Sequence, residues 1–128
     1  MREEVSNWWK QAKRDFQTAK NCRTSGDFYA AVFFCQQAVE KGMKALYMLR
    51  KETSPGPTHS LLFLAREVDV PKNFLPFVKE LTPEFVITRY PDVIGETPYE
   101  LYDETIAGRF IGETEVLLQW LEDQMSRP

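Results

Sequence analysis

The stretch that decides the fold is residues 34–46, which read FCQQAVEKGMKAL. Mostly small side chains recur through and around it at three- and four-residue steps: Ala31, Cys35, Ala38, Gly42, Ala45 and Leu49. This spacing is typical of one face of an α-helix. Because small side chains let a neighbouring helix approach closely, we predict that residues 28–51 form the central helix of a bundle.

Another face of this helix carries polar and charged side chains at i, i+3, i+4 and i+7: Gln37, Glu40, Lys41 and Lys44. A lysine on this surface can contact phosphate, while a glutamine or glutamate can contact a base or ribose. The alternatives are a subunit interface and a solvated face with a Glu40–Lys44 pair. Phe33 and Tyr47 lie among these charges, which indicates an outward contact surface.

Helical periodicity also dominates the rest of the chain. We predict a first helix from about Glu3 to Arg23, ended by Gly26, and a short helix capped by Thr58, His59 or Ser60. Pro76 and Pro83 predict that the segment from Pro71 to Thr88 is kinked or divided. The sequence Thr97-Pro98-Tyr99-Glu100 has the pattern of a capping box, so we place the start of the last helix there and its end near Gln124.

These segments predict an all-α fold, an up-and-down antiparallel bundle of four main helices plus a short fifth helix. The length of 128 residues fits a single domain that spans residues 1–128. The side chains expected to be mostly buried are Trp8 or Trp9, Phe16, Ala38, Gly42, Ala45, Ile106, Phe110 and Leu117. Asp15, at the edge of the apolar stripe of the first helix, is expected to pair with a lysine of the second.

Composition excludes several classes of protein. No apolar run approaches the ~18–20 residues of a membrane span, and the first residues, MREEVSNWWKQ, lack the apolar region of a secretory signal. We therefore expect a cytoplasmic protein without membrane contact, with Cys22 and Cys35 as reduced, buried thiols. A single histidine, His59, and no CxxC spacing argue against a zinc site, and no cofactor is expected.

The charge is unevenly distributed along the chain. Residues 1–64 hold ten Lys/Arg and six Asp/Glu, a balance of +4, while residues 65–128 hold six and thirteen, a balance of −7. The overall charge of −3 argues against a general nucleic-acid binder. The division permits electrostatic pairing of two copies of the chain, and we expect a homodimer.

The order of several local patterns resembles the HEPN domain (higher eukaryotes and prokaryotes nucleotide-binding). The patterns are AKRDF at 12–16, DFYAA at 27–31, FCQQAVEKGMKAL at 34–46, THSL at 58–61 and TRYPD at 88–92. The resemblance implies a helical bundle that commonly dimerises and that acts with a small nucleotidyltransferase, similar to nucleotidyltransferase substrate-binding subunits. The candidate nucleotide-binding or interface residues are Gln37, Glu40, Lys41, Lys44, Arg89, Tyr90 and Asp92.

One branch of the HEPN family contains metal-independent RNases that carry Arg, four to six residues, then His. Arg89 lies where the arginine of that motif would fall, but no histidine follows it, and His59 lies 30 residues upstream. We therefore expect no catalytic residues and a nucleotide-binding accessory protein, one half of a toxin–antitoxin-like pair. The alternatives are an RNase that has lost its histidine and a plain dimerising interaction module. His59 is expected to be structural, and Arg89 either to bind phosphate or to pair with Asp92.

Overall fold

The computed structural model describes residues 2–127, and every regular element in that range is helical. The elements are α1 (Arg2–Ser25), α2 (Phe28–Lys51), α3 (Leu61–Glu67), α4 (Leu75–Leu81), α5 (Glu84–Ile87), α6 (Pro91–Ile94) and α7 (Glu104–Met125), with 3₁₀ turns at Lys72–Phe74 and Pro98–Leu101. The all-α prediction is confirmed. The third main segment is divided into α4 and α5, as its prolines predicted.

The long helices α1, α2 and α7 pack together, and α4 and α5 close the bundle. Gly26, at φ +87°, makes the tight turn that reverses the chain between α1 and α2. The loop after α2 returns to the middle of that helix, so α3 runs alongside its second half, and Arg50 Nη1 donates to the carbonyl of Val68 at 2.7 Å. The chain then travels back through α4 and α5, and for that reason α7 runs in the same direction as α2.

The start of α7 differs from our prediction. The segment Thr97-Pro98-Tyr99-Glu100 forms a 3₁₀ turn in which the Thr97 side chain makes no capping hydrogen bond. The long helix begins at Glu104, where the Asp103 carboxylate accepts a hydrogen bond from the Ile106 amide at 2.8 Å. An aspartate at the N-cap satisfies one of the free amides of the first turn, and Asp103 supplies that group to α7. The capping-box assignment was therefore wrong, and the N-cap is Asp103 instead of Thr97.

Close packing around α2 agrees with its small residues. A Cβ placed on Gly42 would lie 3.0 Å from Leu121 Cδ1, 3.2 Å from Trp9 Cζ3 and 3.4 Å from Leu118 Cδ2. The absence of a side chain at Gly42 thus lets α2 approach both α1 and α7. Ala38, Ala45, Phe16, Phe110 and Leu117 are buried as predicted. Trp8, Trp9 and Ile106 are half-buried.

The two cysteine sulfurs are free. Cys35 is fully buried in the core, and this burial raises the pKa of its thiol to about 12. Cys22 is half-buried rather than buried, which corrects our expectation for that residue. Within residues 2–127, no helix has the length and apolar character that crossing a membrane requires.

Candidate functional site

The polar side of α2 is organised around one buried carboxylate, that of Glu40. Its Oε2 accepts a hydrogen bond from Lys44 Nζ at 3.1 Å, and its Oε1 accepts one from Gln36 Nε2 at 3.0 Å. Gln36, Glu40 and Lys44 are 0%, 4% and 5% exposed. Gln37 extends the network, because its amide donates to Gln36 Oε1 at 2.7 Å.

This burial corrects the prediction that the polar side of α2 faces solvent. Lys44 does not reach solvent, because its ammonium lies between Glu40 and the ring of Trp8, 5.4 Å from the ring centroid. Phe33 and Tyr47 are half-buried rather than exposed. Helical spacing correctly placed these side chains on one surface, but α1 and the segment before α3 cover the middle of it.

Lys41 makes the predicted contact between α1 and α2. Its Nζ forms an ion pair with Asp15 Oδ2, and Asp15 Oδ1 accepts a hydrogen bond from Gln11 Nε2 at 2.9 Å. Asp15 is 4% exposed, so Lys41 compensates a charge that would otherwise be buried alone. The pair fixes the position of the Lys41 side chain at the surface between the two helices.

His59 joins the network from the segment before α3. Its Nδ1 lies 3.0 Å from Glu40 Oε1, and because a carboxylate only accepts hydrogen bonds, Nδ1 carries the hydrogen of this bond. This hydrogen bond orients the ring and leaves the other ring nitrogen, Nε2, on the side away from Glu40. His59 makes a structural contact, but its partner is α2 and not the start of α3, where Ser60 is the cap. Its side chain remains 51% exposed.

Phe85 of α5 connects His59 to Arg89. The imidazole stacks on the Phe85 ring with the centroids 3.9 Å apart and an angle of 17° between the planes. The Arg89 guanidinium carbon lies 4.2 Å from the same centroid. Since the imidazole covers one face of the ring, the guanidinium occupies the other. The fold thereby brings together a histidine and an arginine that lie 30 residues apart in the sequence.

Arg89 is held in place by aromatic rings and its own helix. Besides Phe85, the rings of Tyr90 and Phe33 lie 4.9 and 5.4 Å from the guanidinium carbon, and Arg89 Nε donates to the Phe85 carbonyl at 2.7 Å. Across residues 2–127, no carboxylate lies within ion-pair distance of this exposed arginine, and the alternative Arg89–Asp92 pair does not form. Its terminal nitrogens can therefore donate hydrogen bonds to an anionic ligand.

The position of α5 depends on a contact with the segment that precedes α7. Tyr102 donates a hydrogen bond to Glu84, the residue before Phe85. Burial raises the pKa of the Glu84 carboxyl, and the Tyr102 hydrogen bond partly opposes that shift. Because α5 has only four residues, this bond stabilises a helix that could not persist alone.

The seven candidate residues thus fall into two groups. Five are accessible to solvent: Arg89, Tyr90 and Asp92 are exposed, and Gln37 and Lys41 are half-buried. Glu40 and Lys44 form the buried scaffold behind them. Sequence reasoning missed Gln36, Phe85 and the exposed side of His59. The signals that could have found them are the i, i+4, i+8 spacing of Gln36, Glu40 and Lys44 and the i, i+4 spacing of Phe85 and Arg89.

The fold and this surface define an α-helical bundle protein that presents an arginine and an imidazole beside a buried Glu–Lys pair. The family model of the HEPN domain matches residues 5–124, so the chain belongs to the HEPN domain family. Among the residues that the structure describes, no group of His, Cys, Asp and Glu could hold a metal ion.

Similar proteins are found among both sequences and solved structures. The chain is 27% identical over 126 residues to a Methanocaldococcus jannaschii protein named "Putative toxin MJ1304", covering 89% of this chain and 83% of that protein. The crystal structure of TT1696 from Thermus thermophilus has a TM-score of 0.86 at 28% identity, covering 94% of this chain and 98% of that one. The structure of ST0689, an archaeal HEPN homologue, has a TM-score of 0.82 at 31% identity, with 96% and 98% covered.

Proposed function

We propose that this protein is a cytoplasmic HEPN accessory protein that binds a nucleotide through Arg89 and acts with a small nucleotidyltransferase partner. The observation that carries the proposal is the guanidinium of Arg89, which is fixed by three aromatic rings and has no carboxylate partner among residues 2–127. A guanidinium held in this way forms paired hydrogen bonds to phosphate at little entropic cost. The toxin name of the M. jannaschii homologue supports a paired system.

Removing the Arg89 side chain is expected to weaken ATP binding about tenfold or more. A hydrogen bond to a charged group contributes about 1.5–3 kcal/mol, and about 1.4 kcal/mol corresponds to a factor of ten in affinity. Calorimetry on the purified protein, alone and with its partner, measures the effect. Arg66→Ala removes the same charge from an exposed position on α3 and should leave the affinity unchanged.

The control separates site binding from general charge attraction. Arg89→Lys keeps the charge but loses the planar group that lies over Phe85, so an intermediate affinity is expected. Equal losses in Arg66→Ala and Arg89→Ala would contradict the proposed site. A pull-down from native extract, with mass spectrometry of the protein that co-purifies, tests the nucleotidyltransferase partner.

A second candidate function, metal-independent RNA cleavage, is favoured by the position of His59. A carboxylate that is hydrogen-bonded to Nδ1 leaves Nε2 free to take a proton, as in catalytic carboxylate–imidazole pairs. In such a reaction Nε2 takes the proton of a ribose 2′-OH while the 2′ oxygen attacks the adjacent phosphorus. The bond from phosphorus to the 5′ oxygen breaks, that oxygen takes a proton from water, and the imidazolium returns its proton to the hydroxide so formed.

RNA cleavage in the presence of EDTA tests this second candidate. Activity lost in both His59→Gln and Arg89→Ala, and retained in Arg66→Ala, would favour an RNase. Nucleotide binding without cleavage would leave the accessory function as the better description. Persistence of cleavage in His59→Gln would exclude the imidazole as the base.

A homodimer remains part of the proposal, with a surface different from the one that Phe33 and Tyr47 indicated. Four large apolar side chains of α3 and of the segment from α5 to α6 are exposed: Phe63, Val86, Tyr90 and Val93 are 36–51% accessible. A stable two-fold interface buries at least ~1,000 Å² in total, and exposed apolar side chains of this kind are what such an interface covers. Light scattering at tens of micromolar measures the mass, and a monomer would contradict the homodimer.

A further inference from the structure

A cavity separate from the Arg89 site lies beside α2, closer to the C-terminal end of that helix than Phe33, which contacts Arg89. It is a shallow, open cavity of about 250 Å³ between α1 and α2, lined by Asn7, Trp8, Gln11 and Lys41. The Trp8 ring is half-buried and supplies the apolar wall, while Asn7 and Gln11 are exposed. Neither the family assignment nor the Arg89 site accounts for this cavity.

The chemistry of the cavity suits a flat heteroaromatic ring. The ammonium of Lys44 lies against Trp8 from the buried side, which leaves the rest of the indole to line the opening. Aromatic side chains stack on any of the nucleobases, because every base has a π-face. The amides of Asn7 and Gln11 offer donors and acceptors to the edge of such a ring. Gln11 uses one amide hydrogen for Asp15 and keeps its oxygen free.

The cavity and the Arg89 site both adjoin α2, at different positions along the helix. Phe33, which contacts Arg89, and Lys41, which lines the cavity, are eight residues apart, which is about 12 Å along the axis of α2 and about 80° around it. Gln37 lies between them on the same side. One ligand can reach both ends only if it carries an anionic group and a planar ring separated by a linker.

We propose that the Trp8 cavity holds the base of a nucleoside di- or triphosphate whose terminal phosphate binds Arg89. This inference rests on the proposed function and specifies its ligand: a nucleoside polyphosphate rather than free phosphate or a nucleoside alone. Gln37 and the exposed edge of His59 then face the middle of the ligand.

Calorimetry with two probes, ATP and inorganic tripolyphosphate, tests the proposal on the whole chain. The wild type should bind ATP at least tenfold more tightly than tripolyphosphate, since stacking on an aromatic ring adds an interaction that the inorganic chain lacks. Trp8→Ala should abolish this preference and leave tripolyphosphate binding unchanged. Arg89→Ala should weaken the binding of both probes.

Trp8→Ala can also destabilise the fold, because Trp8 contacts the buried cluster of Val5, Ala45 and Met48. A substitution that fills the cavity and leaves Trp8 in place avoids this problem. Asn7→Trp changes an exposed residue, blocks the cavity and should lower ATP affinity to the level of tripolyphosphate. Gln17→Trp, exposed further along α1, is the matched control and should keep wild-type affinity.

The results of these measurements separate the two proposals. If the wild type binds neither ATP nor tripolyphosphate, both the proposed function and this inference are wrong. If Arg89→Ala weakens ATP binding but Trp8→Ala and Asn7→Trp change it less than twofold, only the cavity assignment is wrong. If a short single-stranded RNA binds more tightly than ATP and depends on both Arg89 and Trp8, the ligand is RNA and the nucleoside polyphosphate is overturned.

Discussion

Replacing Glu40 with leucine is expected to lower the free energy of unfolding by about 3–5 kcal/mol, because it leaves the Lys44 ammonium buried without its counter-ion. Lys44 is 5% exposed and Glu40 is its ion-pair partner. The amide of Gln36 also loses its acceptor in this variant. Because single-domain proteins have only about 5–15 kcal/mol of stability, the loss would be visible as a large fall in the urea midpoint.

Two further variants test the physical reason for this loss. The double variant Glu40→Leu/Lys44→Met removes both charges, and it should recover most of the lost stability, because apolar residues of similar volume often replace buried ion pairs without cost. Glu80→Ala breaks the exposed pair with Arg109 and should lower the free energy of unfolding by less than about 1 kcal/mol. A loss for Glu40→Leu no larger than that of Glu80→Ala would contradict the buried pair.

Substituting leucine for Gly42 is expected to lower the free energy of unfolding by about 3 kcal/mol, because insertion of methylenes into a close-packed contact typically costs about 1–3 kcal/mol and sometimes more. Even the Cβ atom would lie 3.0 Å from Leu121 Cδ1, and the remaining leucine atoms would have to displace α1 or α7. Thermal and urea unfolding with circular dichroism measure the change.

Gly112 provides the matched control, because it lies in α7 and a Cβ added there would meet no other atom within 4 Å. Gly112→Leu should raise stability by about 0.5–1 kcal/mol, since leucine is a better helix former than glycine. Gly42→Ala should stay close to wild type, because the improved helix propensity offsets the small shifts required of the Leu121 and Trp9 side chains. An unchanged midpoint in Gly42→Leu would disprove the close packing of α2.

The buried position of Lys44 changes how the candidate site is tested. By sequence alone, Lys44 and Arg89 are equivalent candidates for phosphate binding at solvent-exposed positions. Only Arg89 is exposed, so its replacement by alanine reports on ligand binding. A Lys44→Ala variant would lose stability through the uncompensated Glu40 carboxylate, and its effect on binding would be ambiguous.

The sequence alone determined the bounds of α2, the end of α1 and the division of the third segment. These features depend on neighbouring residues: helical periodicity, a glycine with positive φ and prolines that lack an amide hydrogen. The small residues around Gly42 also predicted a close helix contact. Which helices make that contact required the tertiary structure, which places Trp9 and Leu121 there.

Tertiary structure decided the start of α7 and the composition of the site. Thr97 and Asp103 are both suitable N-caps by local rules. Tyr102 contacts Glu84 and has an extended backbone, so α7 starts only after Tyr102. Periodicity shows which residues share a helix face but not which faces become covered, so Glu40 and Lys44 were assigned to solvent. The contacts of His59 with Glu40 and Phe85 join residues 19 and 26 positions apart, and only the packing of separate helices creates them.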